Sequence, residues 1–169
     1  MILTGYKLIE SIKMKQIELN SFRSQYEDSL YAFPDEEKMK PLELLEKINK
    51  LEIEIALLQT GQSFYNMAVQ IEFNGNYIHL QNAINLLGGL TRQSQMWNQA
   101  ATGEKRNRYS LPTLIRKEGE IAAVPTITKE QALNGVKTAE KLISSIRSHI
   151  ASANTTPVEI KFIDQSLVS

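Results

Sequence analysis

The feature that most limits how this chain can fold is a heptad repeat of apolar residues in its first third. Between residues 44 and 58, apolar side chains recur at steps of three and four: Leu44, Ile48, Leu51, Ile55 and Leu58. Glu and Lys fill half of the positions between them, as in a coiled coil. The segment therefore predicts a long helix that buries this seam against a partner.

The preceding segment supplies that partner. From Tyr6 to Leu30 apolar residues follow the same helical period: Leu8, Ile12, Leu19, Phe22, Tyr26 and Leu30. The connector from Phe33 to Pro41 interrupts the period because proline lacks an amide donor and restricts the residue before it. Two long helices joined by about ten residues most simply pack antiparallel. A helical hairpin is the expected result.

Beyond Gly61 the pattern changes to alternation around an Asn74-Gly75 pair. Val69, Ile71 and Phe73 alternate before the pair, and Tyr77 to Leu80 follows it. Asn-Gly accepts positive φ at both positions, so this segment predicts a β-hairpin with a type I′ turn.

A third helix is predicted over Leu80 to Ala101, interrupted or tightened at Gly88-Gly89. Its only formal charge is Arg92. A helix this poor in charge is usually buried, by the rest of the fold or by another subunit. We therefore expect a homo-oligomer with a large isologous interface.

The last third predicts a second small hairpin over Leu111 to Ile127, then a helix that Thr128 and Gln131 begin as a capping box. The helical seam is Val136, Ala139, Ile143, Ile146 and Ile150. A terminal strand is predicted from the alternation of Val158, Ile160 and Phe162.

These elements predict one domain over residues 1–169, mainly α with short β-hairpins (α+β). A helical hairpin arm is expected over 3–66, and a body with short hairpins and two helices over 67–169. The protein is expected to be oligomeric.

Charge and composition exclude several classes of function. Nineteen basic residues balance nineteen acidic ones, and there is no cysteine. A neutral chain has no global field for nucleic acid, so nucleic acid is an unlikely partner, and thiolate sites are impossible. We expect a cytoplasmic protein with no signal peptide and no membrane contact, since no apolar run approaches about twenty residues.

The motifs of common enzymes are missing from the sequence. The two histidines, His79 and His149, have no partner at metal-ligand spacing. No G-x-S-x-G, Walker or dinucleotide fingerprint is present. We therefore expect no catalytic residues, no metal site, no cofactor and no enzymatic activity.

One group of residues suits a phosphorylated, nucleotide-like ligand. Guanidinium groups bind phosphate bidentately and aromatic rings stack on bases. The candidate ligand-binding residues are Arg92, Trp97, Arg106, Arg108, Tyr109 and Arg116. A structural interpretation stays open: the basic loop is solvated, Trp97 lies in the core and Arg92 forms a salt bridge between subunits.

Four features in chain order carry a resemblance to a known family. They are the acidic connector Pro34 to Leu45, the uncharged helix after a short hairpin, Arg108-Tyr109-Ser110 and Asn154-Thr155-Thr156. In this order they resemble the septicolysin-like bacterial proteins, whose molecular function is not established. The resemblance spans most of the chain and implies a helical, oligomer-forming protein without an assigned reaction. Nothing here looks like a membrane-inserting segment, so lytic activity is not expected.

Two functions from different classes follow. The first is a non-catalytic oligomer that binds or sequesters a small phosphorylated nucleotide-like ligand, as phage-encoded sponge proteins do with bacterial immune messengers. The alternative is a structural or adaptor coiled-coil protein whose arm docks a protein partner and which has no small-molecule ligand.

Overall fold

The computed structural model describes residues 1–31, 36, 38–102 and 126–168. Its contacts divide the chain into two compact units, one of Met1–Asn82 with His149–Ser169 and one of Ala83–Ser148. In chain order the elements are β1 (Ile2–Leu3), α1 (Gly5–Ser29), α2 (Pro41–Ala68), β2 (Gln70–Phe73), β3 (Asn76–His79), α3 (Leu80–Thr102), α4 (Lys129–Ala153), β4 (Val158–Glu159) and a 3₁₀ turn at Gln165–Leu167. The described chain is thus mainly helical with two small antiparallel strand pairs, which confirms the predicted class.

The first unit is built on the hairpin of α1 and α2. The predicted seams are buried where the two helices face each other, at Leu8, Ile12, Leu19, Leu44, Leu51, Ile55 and Leu58. Lys15 of α1 pairs with Glu54 of α2, and Arg23 pairs with Glu52, each at 2.5 Å. Arg23 comes after Lys15 in α1, whereas its partner Glu52 comes before Glu54 in α2, so the two helices run antiparallel.

The two ends of the described chain close this unit. β1 pairs antiparallel with β4, with Ile2 opposite Glu159 and Leu3 opposite Val158. The N–H of Ile160 donates to the Met1 carbonyl at 2.7 Å. The predicted terminal strand therefore exists as a two-residue pair.

The hairpin of β2 and β3 has the turn that Asn-Gly predicts. Asn74 has a φ of 52° and Gly75 a φ of 75°, so both turn residues adopt the left-handed conformation. The register places Phe73 opposite Asn76 and Gln70 opposite His79. The inward side chains of β2, Ile71 and Phe73, are buried.

The second unit contains most of α3 and α4. On α4 the predicted seam is buried at Val136, Ala139, Ile143 and Ile146. The capping box is present: Thr128 N–H donates to the Gln131 side chain at 2.9 Å, and Gln131 N–H donates to Thr128 Oγ1 at 3.1 Å. The second predicted hairpin, over 111–127, falls almost entirely outside the described residues.

Helix α3 differs from its prediction at the glycine pair. It runs without interruption through Gly88-Gly89. A Cβ placed on Gly89 would meet no described atom within 4 Å. These glycines are therefore not points of close helix packing within the described chain, and the helix tolerates them because its other residues supply enough contacts and propensity.

Candidate functional site

Two of the six candidate ligand-binding residues, Arg92 and Trp97, lie in the described part of α3. The other four, Arg106, Arg108, Tyr109 and Arg116, lie outside the described residues. The geometry of the site can therefore be built from α3 and α4 alone.

Trp97 of α3 packs closely against Gly135 of α4. It continues the buried seam of α3 through Leu90 and Ser94, at steps of four and three residues, and is itself half-buried. A Cβ on Gly135 of α4 would lie 2.7 Å from Trp97 Cε2 and 2.8 Å from Cγ. Only glycine fits beneath these ring atoms, which are too near the base of the side chain to move cheaply.

Two grooves open beside the Trp97 ring. The first has a volume of about 340 Å³ and is lined by Gln93, Trp97, Asn134, Gly135, Thr138, Ala139 and Leu142. The second, of about 240 Å³, is mainly apolar and is lined by Gln93, Met96, Trp97, Ala100 and Ile127. Trp97 and Gln93 belong to both grooves because they are four residues apart and share one side of α3.

This arrangement suits a flat, partly polar ring. An exposed part of the indole offers an apolar stacking surface, and the amides of Gln93 and Asn134 offer both donors and acceptors. Among the described residues, no charged side chain lines either groove. The grooves can therefore hold a base-like ring, whereas a phosphate group would need charge from elsewhere in the chain.

Arg92 is exposed and does not line either groove. Its guanidinium Nη1 lies near Gly88, 3.6 Å from the position of a Cβ there, one turn toward the start of α3. The described structure thus places Arg92 and Trp97 on one helix but directs them to different neighbours. Their joint action on one ligand stays a prediction.

The described residues on either side of 103–125 lie beside these grooves. Ala100 lies two residues before the end of α3, and Ile127 lies just before the start of α4. Both line the 240 Å³ groove together with Trp97. In the sequence, Arg106 and Arg108 therefore follow a groove-lining residue by fewer than ten positions.

A buried tyrosine in the first unit was not singled out by the sequence reasoning. Tyr65 of α2 is 0% exposed, and its hydroxyl lies 2.7 Å from the Ala153 carbonyl and 2.8 Å from the Thr156 carbonyl. These two acceptors share the one hydrogen that the hydroxyl donates. The same oxygen accepts a hydrogen bond from the Gly5 N–H. Burial raises the pKa of the Tyr65 phenol, and the Gly5 bond only partly offsets this.

Tyr65 acts as a structural tie, because its hydroxyl joins the start of α1 to the end of α4. The sequence did contain a signal for its burial: it follows Leu44, Leu51 and Leu58 at exact heptad spacing. A polar tip at a seam position predicts a buried hydrogen-bonding group.

Within residues 1–31, 36, 38–102 and 126–168, no group of three or more metal-ligating side chains comes together. No helix among the same residues has the length and hydropathy needed to cross a bilayer.

Comparison with known proteins gives a fold but no activity. No family model matches this sequence, and no curated protein is similar to it. A solved structure, described as a functionally unknown conserved protein from Corynebacterium diphtheriae, is similar to this chain with a TM-score of 0.72 and 15% identity. The match covers 94% of this chain and 100% of that chain. At this identity the likeness shows that the fold is shared.

Proposed function

We propose that this chain is a non-catalytic protein that binds a small, phosphorylated, nucleotide-like ligand as a homo-oligomer. The observation that carries the proposal is the partly exposed ring of Trp97, which packs on Gly135 and is flanked by two grooves with amide side chains. The base would stack on the indole, and Gln93 and Asn134 would bind its edge.

The phosphate would be bound by basic residues of the adjoining sequence. Arg106, Arg108 and Arg116 are close in sequence to the grooves, Tyr109 adds an aromatic hydroxyl, and Arg92 is the one charge on α3. Guanidinium groups suit phosphate because they donate two parallel hydrogen bonds to it. Sequestration of a nucleotide signal is the version of this function that needs no catalytic group.

Oligomer formation is supported by the surface of α3. Ile84, Leu86 and Met96 are exposed at 37%, 39% and 69%, on a helix with a single charge. Exposed apolar residues without accompanying charge are typical of surfaces that a second subunit covers.

The test uses Trp97 as its own probe, because it is the only tryptophan in the chain. Tryptophan fluorescence is titrated with ADP-ribose, cyclic nucleotides, the unphosphorylated nucleoside and inorganic phosphate, and calorimetry is run in parallel. We expect a saturable change with a phosphorylated nucleotide, weaker binding of the nucleoside, and no change with phosphate alone. The recovered ligand should be chemically unchanged.

Variants separate the two halves of the ligand. Gln93→Ala should weaken nucleotide and nucleoside alike, whereas Arg108→Ala should weaken only the nucleotide, by about tenfold or more for a lost charged hydrogen bond. Arg147→Ala, at an exposed position of α4, is the matched control and should change neither. No saturable signal with any member of the panel at about 1 mM would refute the proposal, since this is the limit of useful affinity.

The adaptor function remains the second candidate because the outer side of α1 carries four exposed apolar side chains. Tyr6, Ile9, Met14 and Ile17 are between 41% and 61% exposed. A protein partner that binds through this side should be retained in a pulldown by the unmodified chain and lost with the Ile9→Ser and Ile17→Ser double variant. Equal retention by both would exclude docking through α1.

A further inference from the structure

The outer side of α2 carries a row of exposed, uncharged residues opposite the buried seam. Ile53, Phe64 and Met67 are 70%, 48% and 52% exposed, and Ala56 and Thr60 between them are also exposed. At 100° per residue all five fall within about 80° of one another around the helix. We call these five residues the Thr60 face.

The spacing of the Thr60 face is symmetric about Thr60. Ala56 and Phe64 lie four residues before and after it, and Ile53 and Met67 lie seven residues before and after it. If two such helices cross antiparallel with a two-fold axis at Thr60, Ile53 of each copy meets Met67 of the other. Ala56 of each copy then receives Phe64 of the other, a small residue against a large one.

The face has few polar groups that would lose water on burial. The Thr60 hydroxyl donates to the Ala56 carbonyl at 2.9 Å, and the neighbouring Ser63 hydroxyl donates to the Gln59 carbonyl at 3.0 Å. Both hydroxyls already have partners within α2, so a second helix can cover them without leaving a donor unsatisfied. The methyl group of Thr60 is free to pack at the axis.

Charge marks the limits of the face. Residues 55–71 contain no Asp, Glu, Lys or Arg. The preceding part of the same side carries Glu46, which is exposed. A register shifted along α2 would place Glu46 against apolar residues of the other copy, so the symmetric register is the favoured one.

We propose that two copies of this chain associate through the Thr60 face in an antiparallel, two-fold symmetric dimer. The occupant is a second copy because the face is complementary to itself, which an isologous interface requires and an unrelated partner does not. This inference does not rest on the ligand proposed above, since the Thr60 face and Trp97 belong to different units.

The available area agrees with a dimer. A fully exposed side chain of this size offers about 200 Å². Phe162, which is 44% exposed, contacts Phe64 edge to face at 6.1 Å between ring centroids and extends the patch. With Ile53, Phe64 and Met67 it exposes about 430 Å² per copy, or about 850 Å² for two. Ala56, Thr60 and the rim bring the total to about 1,000 Å², the lower limit for a stable interface.

The first test places a charge at the axis. Thr60→Glu brings two carboxylates together in the dimer but is exposed in the monomer, so the fold should survive, as circular dichroism can verify. Ser24→Glu, at an exposed position of α1, is the matched control. Light scattering coupled to gel filtration, from about 1 to 100 μM, should give the same subunit number for the unmodified chain and for Ser24→Glu, and half that number for Thr60→Glu.

The second test reports the register. The chain has no cysteine, so Thr60→Cys introduces a single thiol at the one position that meets itself across the axis. Mild oxidation should link this variant into covalent dimers, whereas Ala56→Cys, one turn away, should link far more slowly. A monomeric unmodified chain would overturn the proposal. An unchanged subunit number for Thr60→Glu, or equal linking at positions 56 and 60, would overturn it as well.

Discussion

Removal of the Tyr65 hydroxyl should destabilise the first unit without changing its shape. In Tyr65→Phe the ring still fills its buried site, but the Gly5 N–H loses its acceptor and the Thr156 carbonyl loses its donor. The Ala153 carbonyl keeps a partner because it also accepts the Thr156 N–H at 3.0 Å. At about 1 to 3 kcal/mol for a buried group left unpaired, the total loss should be about 2 to 3 kcal/mol.

Urea denaturation measures this loss. With a slope of about 2 kcal/mol per molar urea, the midpoint should fall by about 1 M while the slope stays constant. Tyr77→Phe is the matched control, because Tyr77 is 74% exposed and its loss should change stability by less than about 0.5 kcal/mol. Equal midpoints for the two variants would refute the role of Tyr65 as a tie.

The same residue predicts a dependence on alkaline pH. The folded pKa of Tyr65 is raised above its ordinary value of 10.0 by burial, so the folded state favours the neutral phenol. Its contribution is fully present below pH 10 and is lost as pH rises through the folded pKa. The unmodified protein should therefore lose stability above pH 10 more steeply than Tyr65→Phe. Parallel stability curves for the two proteins would contradict this.

Other substitutions test single contacts. Gly135→Ala should destabilise by about 1 kcal/mol, since overpacking against Trp97 at about 1 to 3 kcal/mol exceeds the gain in helix propensity. Gly89→Ala, whose Cβ would meet no atom of the described residues within 4 Å, should stabilise by about 0.5 to 1 kcal/mol. Thr128→Ala removes the cap of α4 and should cost about 1 kcal/mol. Glu54→Gln leaves a partly buried lysine unpaired and should cost about 1 kcal/mol, less at high salt.

Thermal or urea unfolding measures each of these changes. Gly89→Ala serves as the control for Gly135→Ala, because both add the same methyl group to a helix. If both glycine variants were stabilised equally, the contact between Trp97 and Gly135 would not hold. A Glu54→Gln effect independent of salt would show that the loss comes from packing instead of charge.

Local patterns were sufficient to predict most elements. The heptad from Leu44 to Leu58, the Asn74-Gly75 turn and the Thr128 cap each depend on residues within a few positions of one another. Their physical causes, helical periodicity, tolerance of positive φ and a side-chain acceptor for a free N–H, can be read without knowing the rest of the fold.

The features that sequence reasoning missed depend on distant residues. The pairing of Ile2 with Glu159 joins segments more than 150 residues apart, and the sequence of neither segment indicates the other as its partner. Trp97 and Gly135 meet through helices whose facing sides show similar periodicity, so many registers would fit equally well. The end of α1 also differs from the prediction. Leu30 continues the apolar period of the sequence but is 51% exposed, because it lies just beyond the last residue of the helix.

The distribution of charge connects the proposals made for the two units. From residue 55 to residue 102 the only charged residues are Glu72 and Arg92, although Phe64, Tyr77 and Met96 in this stretch are well exposed. Solvent-facing surfaces usually carry charge at about a quarter to a third of their positions. This stretch is therefore suited to contacts beyond its own chain, and its two helices can make them separately. Thr60→Glu should abolish the dimer through the Thr60 face and leave nucleoside binding at Trp97 unchanged. Gln93→Ala should weaken nucleoside binding and leave this dimer unchanged.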